Sequence, residues 1–530
     1  MLKKASQTKK SKKKTKKSIK KPKIRFEEEL FRAADKLRKN IGADEYKHVV
    51  LGLIFLRFVS DSFTAKYDEL VEAKKQGKDI DPEDKLEYAA THNFWLPENA
   101  RWKTIQDSAK LPRIGNIIDD ANDLIEKENE RLKGVLPTDY ARPALDKQKL
   151  GELVDLIGSI DIQKQNLPND ILGRIYEYFL GRFASISDDS GQFYTPQTVV
   201  ELLVNLIEPF RGRVFDPCCG SGGMFVQSQV FVSQHKTKNN KGDISIFGQE
   251  SNRTTWRLCK MNLALRKIGS GNILWNNEGS FLHDLHRNLK SDYILANPPF
   301  NDSDWSGELL KDDSRWEYGV PPTSNANYAW IQNFIHHLND NGFAAFLLAN
   351  GSLSSAVDDD EAKIRKSIIE SKLVDCIITL PNKLFYSTMV PVSAWVISKN
   401  KKMSNFRDRS EEVLFIHAKD KGKLIDRRHR QLTPEDISLI SNTYHAWRDK
   451  ENSNYNNILG FCYSASIKDI KKHKWSLVPG RYTGAKEIID DEEPFTEKIS
   501  VLSNELEVKT RALETHLELI LKKLNRFTKK

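Results

Sequence analysis

The chain has 530 residues, 39% hydrophobic and 29% charged, a composition that indicates a globular protein of several domains and excludes a fibrous or wholly disordered chain. Its longest apolar stretch, 49–59, contains Arg57 and falls far short of the roughly 20 residues of a membrane span, and no secretory leader is visible. The five cysteines form no C-x-x-C pair, which argues against a zinc site or disulfide framework and favours a cytoplasmic setting without membrane contact.

The net charge of +10 is concentrated in one segment. Residues 1–23 hold twelve lysines and no acidic residue, and subtracting these 12 charges from +10 leaves −2 for the rest of the chain. Residues 1–25 therefore form a basic tail, which either holds DNA phosphates in a salt-dependent way or is a solubilising extension. The body must bind nucleic acid through a local patch or with a partner's help.

Helical spacing dominates the chain from residue 26 onwards. Similar apolar patterns recur near 50–59, 117–132 and 150–157, and no alternating strand pattern precedes residue 165. We therefore predict a helical N-terminal domain over 26–165. Pro168-Asn169-Asp170 then predicts the start of a further helix.

After residue 191, short apolar runs alternate with helical segments. The predicted strands lie at 213–215, 244–247, 272–274, 292–296, 343–349, 373–380 and 392–398. The predicted helices lie near 222–235, 252–267, 325–338 and 360–371. This alternation predicts an α/β domain over 166–480 with a doubly wound, mostly parallel sheet covered by helices on both faces. The segment 401–490 gives no clear pattern.

The C-terminal segment predicts a long amphipathic helix over 490–530. Its apolar stripe consists of Ile499, Leu502, Leu506, Leu513, Leu517, Ile520, Leu524 and Phe527. Such a stripe needs a partner surface, either on this chain's helical domain or on another subunit.

A glycine-rich turn, Asp216-Pro217-Cys218-Cys219-Gly220-Ser221-Gly222-Gly223, follows the strand at 213–215 and opens a helix. Doubly wound sheets bind nucleotides at such turns, because glycine lets the backbone approach a ligand and Asp216 can pair with a cationic group. The chain contains no phosphate-loop pattern G-x-x-x-x-G-K-[ST]. A bare structural turn is the alternative.

Glu250 ends the next predicted strand, where an acidic residue can accept hydrogen bonds from ribose hydroxyls. It lies 30 residues beyond Gly220, an excess that a polar loop at 234–243 explains. A solvated glutamate at a strand end is the alternative.

A third motif, Asn297-Pro298-Pro299-Phe300, follows the strand at 292–296. Two consecutive prolines remove two backbone donors and stiffen the chain. The Asn297 side-chain oxygen and the Pro298 carbonyl can accept both N–H bonds of an exocyclic amine, so that its lone pair faces an incoming methyl group. Phe300 would stack on a base taken out of the helix stack. A rigid turn is the less favoured alternative, because the segment lies where a parallel sheet places its site.

The segment Gln192-Phe193-Tyr194-Thr195-Pro196-Gln197 precedes the first strand. Its aromatic residues can cover an adenine ring or a sulfonium by stacking and cation–π attraction. Buried core aromatics are the alternative interpretation.

Together these motifs resemble those of S-adenosylmethionine-dependent amino-methyltransferases, specifically the type I restriction–modification methylation subunit. The resemblance spans roughly 26–480 and includes Asn325-Ala326-Asn327-Tyr328 and Asn350-Gly351-Ser352-Leu353. It implies S-adenosyl-L-methionine as cofactor, bound by Gln192 to Gln197, Ser221 to Gly223 and Glu250, with Asn297 to Phe300 as the catalytic motif. It also implies double-stranded DNA as substrate, and as partners a specificity subunit that reads the target, a second copy of this chain and a restriction/translocase subunit.

The resemblance has one departure, since Gly279 stands where relatives often carry an aspartate near the cofactor adenine; Glu278 or Asp284 is the candidate replacement. The expected reaction is direct transfer to adenine N6 without a metal. The alternatives are a protein or RNA amino-methyltransferase, a non-catalytic DNA-binding scaffold, and a nuclease–methyltransferase using the E-x-K pattern of Glu45-Tyr46-Lys47.

Overall fold

The computed structural model describes residue 503 and residues 26–484, apart from 39–40, 161–170, 187–193, 238–241, 355–358, 386–389, 428 and 452–453. The basic tail over 1–25 and, except for residue 503, the predicted helix over 490–530 lie outside the described residues.

The described residues up to 160 are helical, as the apolar spacing predicts. Their α-helices are α1 (Phe26–Leu37), α2 (Ala43–Lys75), α3 (Lys85–Ala89), α4 (Trp102–Asp107), α5 (Ile114–Glu128) and α6 (Lys147–Gly158). The central helix is α2, whose residues Val50, Leu53 and Ile54 are fully buried. This burial supplies the apolar core that short helices need for stability in water.

The helix α2 is long and apolar enough to cross a membrane by length and composition alone. However, 61% of its most apolar stretch is buried inside the protein, as expected for the core helix of a globular unit. The first turns of α2 also contain the E-x-K pattern, with Tyr46 buried and Lys47 paired with Asp44 at 2.9 Å. The strand that a nuclease motif requires is therefore not present at this position.

Helix α7 (Ile171–Ile186) follows in the segment assigned to the catalytic domain, but its buried face belongs to the helical core. The ring of Phe31 on α1 lies 5.0 Å from that of Phe179 and 5.1 Å from that of Phe183, in edge-to-face contacts. The helical region and the sheet domain thus share α7 as a common structural element.

A nine-stranded sheet forms the second part of the protein. Its strands are β1 (Arg211–Asp216), β2 (Asp243–Glu250), β3 (Ile273–Trp275), β4 (Ser291–Ala296), β5 (Leu338–Ala349), β6 (Val374–Thr379), β7 (Val392–Ser398), β8 (Glu412–His417) and β11 (Cys462–Ser466). Their order is β11-β8-β6-β7-β5-β4-β1-β2-β3. Strands β7 and β11 run antiparallel to their neighbours and all other pairs are parallel. The doubly wound, mostly parallel sheet predicted from the sequence is confirmed. A separate pair, β9 (Lys423–Leu424) and β10 (Arg430–Gln431), forms a short antiparallel hairpin.

Helices cover both faces of the sheet. One face packs against α8 (Gln197–Ile207), α9 (Gly223–His235), α14 (Pro434–Arg448) and part of α10 (Arg253–Leu265). The other packs against α11 (Gly279–Leu282), α12 (Asn327–His337), α13 (Asp360–Glu370) and α15 (Ile467–Lys472). Successive residues of each strand alternate between these cores, so central strands read as continuous apolar runs.

The segment 401–490, which gave no pattern, extends the sheet through β8 and β11 and contributes α14. Helix α14 begins with a capping box, in which the Thr433 side chain accepts from the Asp436 amide and the Asp436 carboxylate accepts from the Thr433 amide.

Candidate active site

The parallel strands β1, β2 and β4 end at one edge of the sheet, and there they place the predicted acidic and amide side chains. Asp216 ends β1, Glu250 ends β2 and Asn297 follows β4. Ligands of open α/β sheets bind in the crevice at these carboxyl ends. The fold therefore brings together residues that lie far apart in the sequence.

The glycine-rich turn between β1 and α9 adopts a conformation that requires glycine. Gly220 and Gly222 have φ values of +52° and +79°, in the left-handed region. A Cβ atom on Gly222 would lie 2.7 Å from the Cys259 sulfur, so a side chain would also collide with α10. The conformation of the turn therefore depends on glycine at position 222.

Two carboxyl groups border this turn. Asp216 is buried and accepts a 3.0 Å hydrogen bond from the Cys218 amide. Glu250 is half-buried, with one oxygen accepting from the Gly220 amide and the other from the Asn252 amide, both at 2.9 Å. Glu250 therefore fixes the glycine turn directly.

The electrostatics of these carboxyl groups favour a cationic ligand. Burial, and to a smaller extent the charge of Glu250, raises the pKa of Asp216 to about 7. Loss of solvent also raises the pKa of Glu250, against the backbone amides of Asn252 and Gly220, which lower it. A positive group beside the pair would stabilise both ionised forms.

Asn297 is fixed by a residue from the segment before α8. Its side-chain nitrogen donates a 2.9 Å hydrogen bond to the Thr195 hydroxyl oxygen. Its side-chain oxygen is buried and has no hydrogen-bond partner among the described residues. An unpaired buried acceptor is costly, and such atoms concentrate at functional sites. The amide is thus held with its oxygen free to accept.

One cleft joins Asn297, Thr195, Asp216 and the glycine-rich turn. Its lining residues are Thr195, Asp216, Cys218, Cys219, Gly220, Ser221, Gly223, Met224 and Asn297. A second cleft behind the turn is lined in part by Tyr194, Thr195 and Gln197. Pro196 precedes the first residue of α8. Gln192 and Phe193, which the sequence also predicted to bind the cofactor, lie outside the described residues.

The aromatic residue of the third motif has a neighbour that the sequence did not reveal. The ring of Phe300 meets that of Phe385 edge to face, with centroids 5.7 Å apart. Phe385 lies in the turn after β6, at the same edge of the sheet. The apolar Leu384-Phe385 pair in the turn after β6 was the available signal, but nothing in the sequence placed it beside Phe300.

The structure narrows the candidates around Gly279. Asp284 is committed to internal contacts, since its oxygens accept from the His337 ring at 3.0 Å and from the His286 amide at 2.7 Å. Glu278 is 56% exposed and lies 3.3 Å from His283. Asp284 is therefore unsuited to bind the cofactor adenine, and Glu278 remains the acidic candidate.

A polar network supports the glycine turn from behind. The buried Asn262 side chain on α10 donates to the Ser221 carbonyl at 2.8 Å. Arg266 donates to Asn262 and, at 3.0 Å, to Glu177 on α7. The position of the turn is therefore linked through α10 to the helical region.

The sheet and the site at its edge define a class I methyltransferase-like protein. The model of the N-6 DNA Methylase family matches residues 167–491, and that of the HsdM N-terminal domain matches residues 26–157. The chain is 42% identical over 447 residues to the type I restriction enzyme HindI methylase subunit of Haemophilus influenzae, covering 80% of this chain and 98% of that relative. It is 40% identical over 500 residues to the MjaIX methylase subunit of Methanocaldococcus jannaschii, covering 91% and 88%.

The chain therefore belongs to the family of type I restriction enzyme methylase subunits, and it is an adenine-specific DNA methyltransferase. A crystal structure of a type I restriction-modification methyltransferase subunit from Streptococcus thermophilus shares its fold, with a TM-score of 0.72 at 23% identity. That likeness covers 87% of this chain and 100% of the other. The resemblance inferred from the motifs is confirmed.

Proposed function

We propose that this enzyme uses S-adenosyl-L-methionine to methylate N6 of an adenine that has left the stack of double-stranded DNA. When bound, the cofactor supplies a methyl group on a sulfonium centre. Asp216 would hold its cationic methionine end, and the free lone pairs of Glu250 would accept from its ribose hydroxyls. The shape of the glycine turn and the charge of the two carboxyl groups support this assignment.

The unpartnered Asn297 oxygen carries the proposal. Adenine N6 offers two N–H donors, of which one would go to this oxygen and the other to the Pro298 carbonyl. Both bonds together would direct the nitrogen lone pair toward the methyl group. Phe300 would stack on the base, and Pro298 and Pro299 would keep the turn rigid. The chain thus contributes orientation and polarisation to a direct transfer.

The proposal extends to the assembly. As in a type I restriction complex, the family to which the methylase relatives belong, a separate specificity subunit would read the target, with a second copy of this chain and a restriction/translocase subunit completing the complex. The stripe within 490–530 is the proposed contact surface. The proposed location is the cytoplasm, where the DNA substrate is found.

The test is single-turnover methyl transfer by the complex with its specificity subunit, using tritiated cofactor and unmodified target DNA. The wild-type complex should yield N6-methyladenine in nucleoside mass spectrometry. Asn297→Ala should slow transfer by roughly two to three powers of ten, the usual cost of losing a preorganised polar partner. Cofactor affinity should persist. Near-wild-type transfer by this variant would show that the motif is only a rigid structural turn.

A further inference from the structure

A basic hairpin lies at the same edge of the sheet as the active site. We use this name for residues 419–427 and 429–431, which include β9 and β10. Strand β8 runs parallel to β6, and β6 has the same direction as β5 and β4. The chain that leaves β8 therefore emerges at the same edge of the sheet as Asn297, which follows β4, with β6, β7 and β5 between the two strands.

Hydrogen bonds attach the hairpin to the turn after β6. The Arg430 amide donates to the Lys383 carbonyl at 2.7 Å, and the Lys383 side chain donates to the Arg427 carbonyl at 3.3 Å. Two residues after Lys383, Phe385 contacts the ring of Phe300. A single short turn thus connects the hairpin with the proposed base-binding aromatic residue.

The charge of the hairpin differs from that of the protein body. It contains five basic residues, Lys419, Lys421, Lys423, Arg427 and Arg430, against the two acidic residues Asp420 and Asp426. Lys419, Lys423 and Arg427 are exposed, and none of these three forms an ion pair within the described part of the chain. Asp426 is paired with His429 at 2.7 Å. The cations are therefore available to an anionic partner.

Two exposed apolar residues, called the tip residues below, end β9 and begin the turn that leads to β10. Leu424 is 50% exposed and Ile425 53% exposed, although both are large aliphatic residues. Proteins that distort DNA combine basic side chains for the phosphates with apolar side chains that press between bases. A duplex from which an adenine has been extruded has lost stacking at that point.

We propose that the basic hairpin is a DNA-contact element of the active-site edge. Lys419, Lys423 and Arg427 bind phosphates that flank the target adenine, and the tip residues pack against the bases that the adenine leaves behind. This inference rests on the proposed function, because it requires DNA to present a base to Asn297.

The first test replaces Lys423 and Arg427 with glutamate in the complex with the specificity subunit. Target-DNA affinity should fall, and the slope of log affinity against log salt should become shallower by about 1 to 2, since each phosphate contact contributes about 0.9. Cofactor affinity should not change. The matched control, Lys468→Glu with Lys471→Glu, alters exposed lysines on α15, which follows the antiparallel β11 at the opposite edge.

An unchanged salt slope in the hairpin variant, or an equal change in the control, would overturn the phosphate contact. The second test keeps the charges and replaces Leu424 and Ile425 with serine. The fluorescence rise of 2-aminopurine at the target position should shrink while the salt slope stays the same; an undiminished rise would refute the role of the tip. Absence of methyl transfer by the wild-type complex would instead count against the proposed function.

Discussion

The Asn297 side-chain nitrogen donates a 2.9 Å hydrogen bond to the hydroxyl oxygen of Thr195, a residue 102 positions earlier in the chain. This contact determines which end of the amide faces the cleft. Thr195, which the sequence predicted to bind the cofactor, would therefore also orient the Asn297 amide of the proposed catalytic motif.

Thr195→Val should slow single-turnover transfer by about fivefold, because loss of one hydrogen bond of roughly 1 kcal/mol releases the amide to rotate. Thr195→Ser, which keeps the hydroxyl, should restore the rate. Calorimetry separates the two roles of Thr195. If cofactor affinity falls in the valine variant while transfer at saturating cofactor is normal, the contact to Asn297 has no catalytic importance.

Cofactor binding should depend on the ionisation of Asp216. Because burial raises its pKa to about 7, the folded protein binds a proton that the unfolded chain has released between about pH 4 and 7. The contribution of this group to stability therefore declines as pH rises through that window. A cationic ligand prefers the ionised form, so affinity should rise by about tenfold from pH 6 to 8. Calorimetry on Asp216→Asn should show a correspondingly smaller dependence; an identical slope in both proteins would contradict the assignment.

Gly222→Ala should weaken cofactor binding, since the left-handed conformation costs a side chain roughly 1–2 kcal/mol and the new methyl group meets Cys259. Adding Cys259→Ala to this variant should restore only the part of the cofactor affinity that is lost through the steric clash. Gly271→Ala is the matched control, because open space surrounds that position. Equal cofactor affinities for Gly222→Ala and this control would show that the turn adapts.

A buried ionic cluster beside β6 should be important for stability. Arg409 and Asp375 are fully buried, with Nε and Oδ1 3.1 Å apart, and the Tyr444 hydroxyl donates to Asp375 at 2.6 Å. Arg409→Met leaves the buried Asp375 carboxylate without the Arg409 guanidinium. The free energy of unfolding measured in urea should therefore fall by about 3–5 kcal/mol. Lys402→Met removes an exposed pair with Asp408 and should cost under about 1 kcal/mol. Similar midpoints for both variants would contradict this account.

The apolar stripe of the C-terminal segment stays a prediction. Leu513→Glu with Ile520→Glu should release the specificity subunit on gel filtration without altering cofactor affinity, because charges would line a contact that needs apolar surface. A complex that survives both replacements would place the stripe against this chain's own body.

The sequence predicted most of the elements that leave a periodic signal, although β8 was missed despite its continuous apolar run from Val413 to Ile416. Strands β4 and β7 were found because both faces of each are buried, which produces continuous apolar runs. Strand β11 was missed because its sequence, Cys462–Ser466, is short and weakly apolar. The start of β5 at Leu338 was missed because Asn339, Asp340 and Asn341 interrupt the run. The motif residues at the sheet edge were identifiable, whereas the contacts of Asn297 with Thr195 and of Phe300 with Phe385 depend on tertiary packing.

The sharing of α7 has a consequence for how such proteins can be recombined. Its aromatic face completes the core around Phe31, while Glu177 on the same helix holds Arg266 and, through it, the support of the glycine turn. A cut at residue 165 would separate α7 from that aromatic core. Chimaeras that exchange helical regions between relatives should therefore take α1, α2, α7 and α10 from the same parent protein.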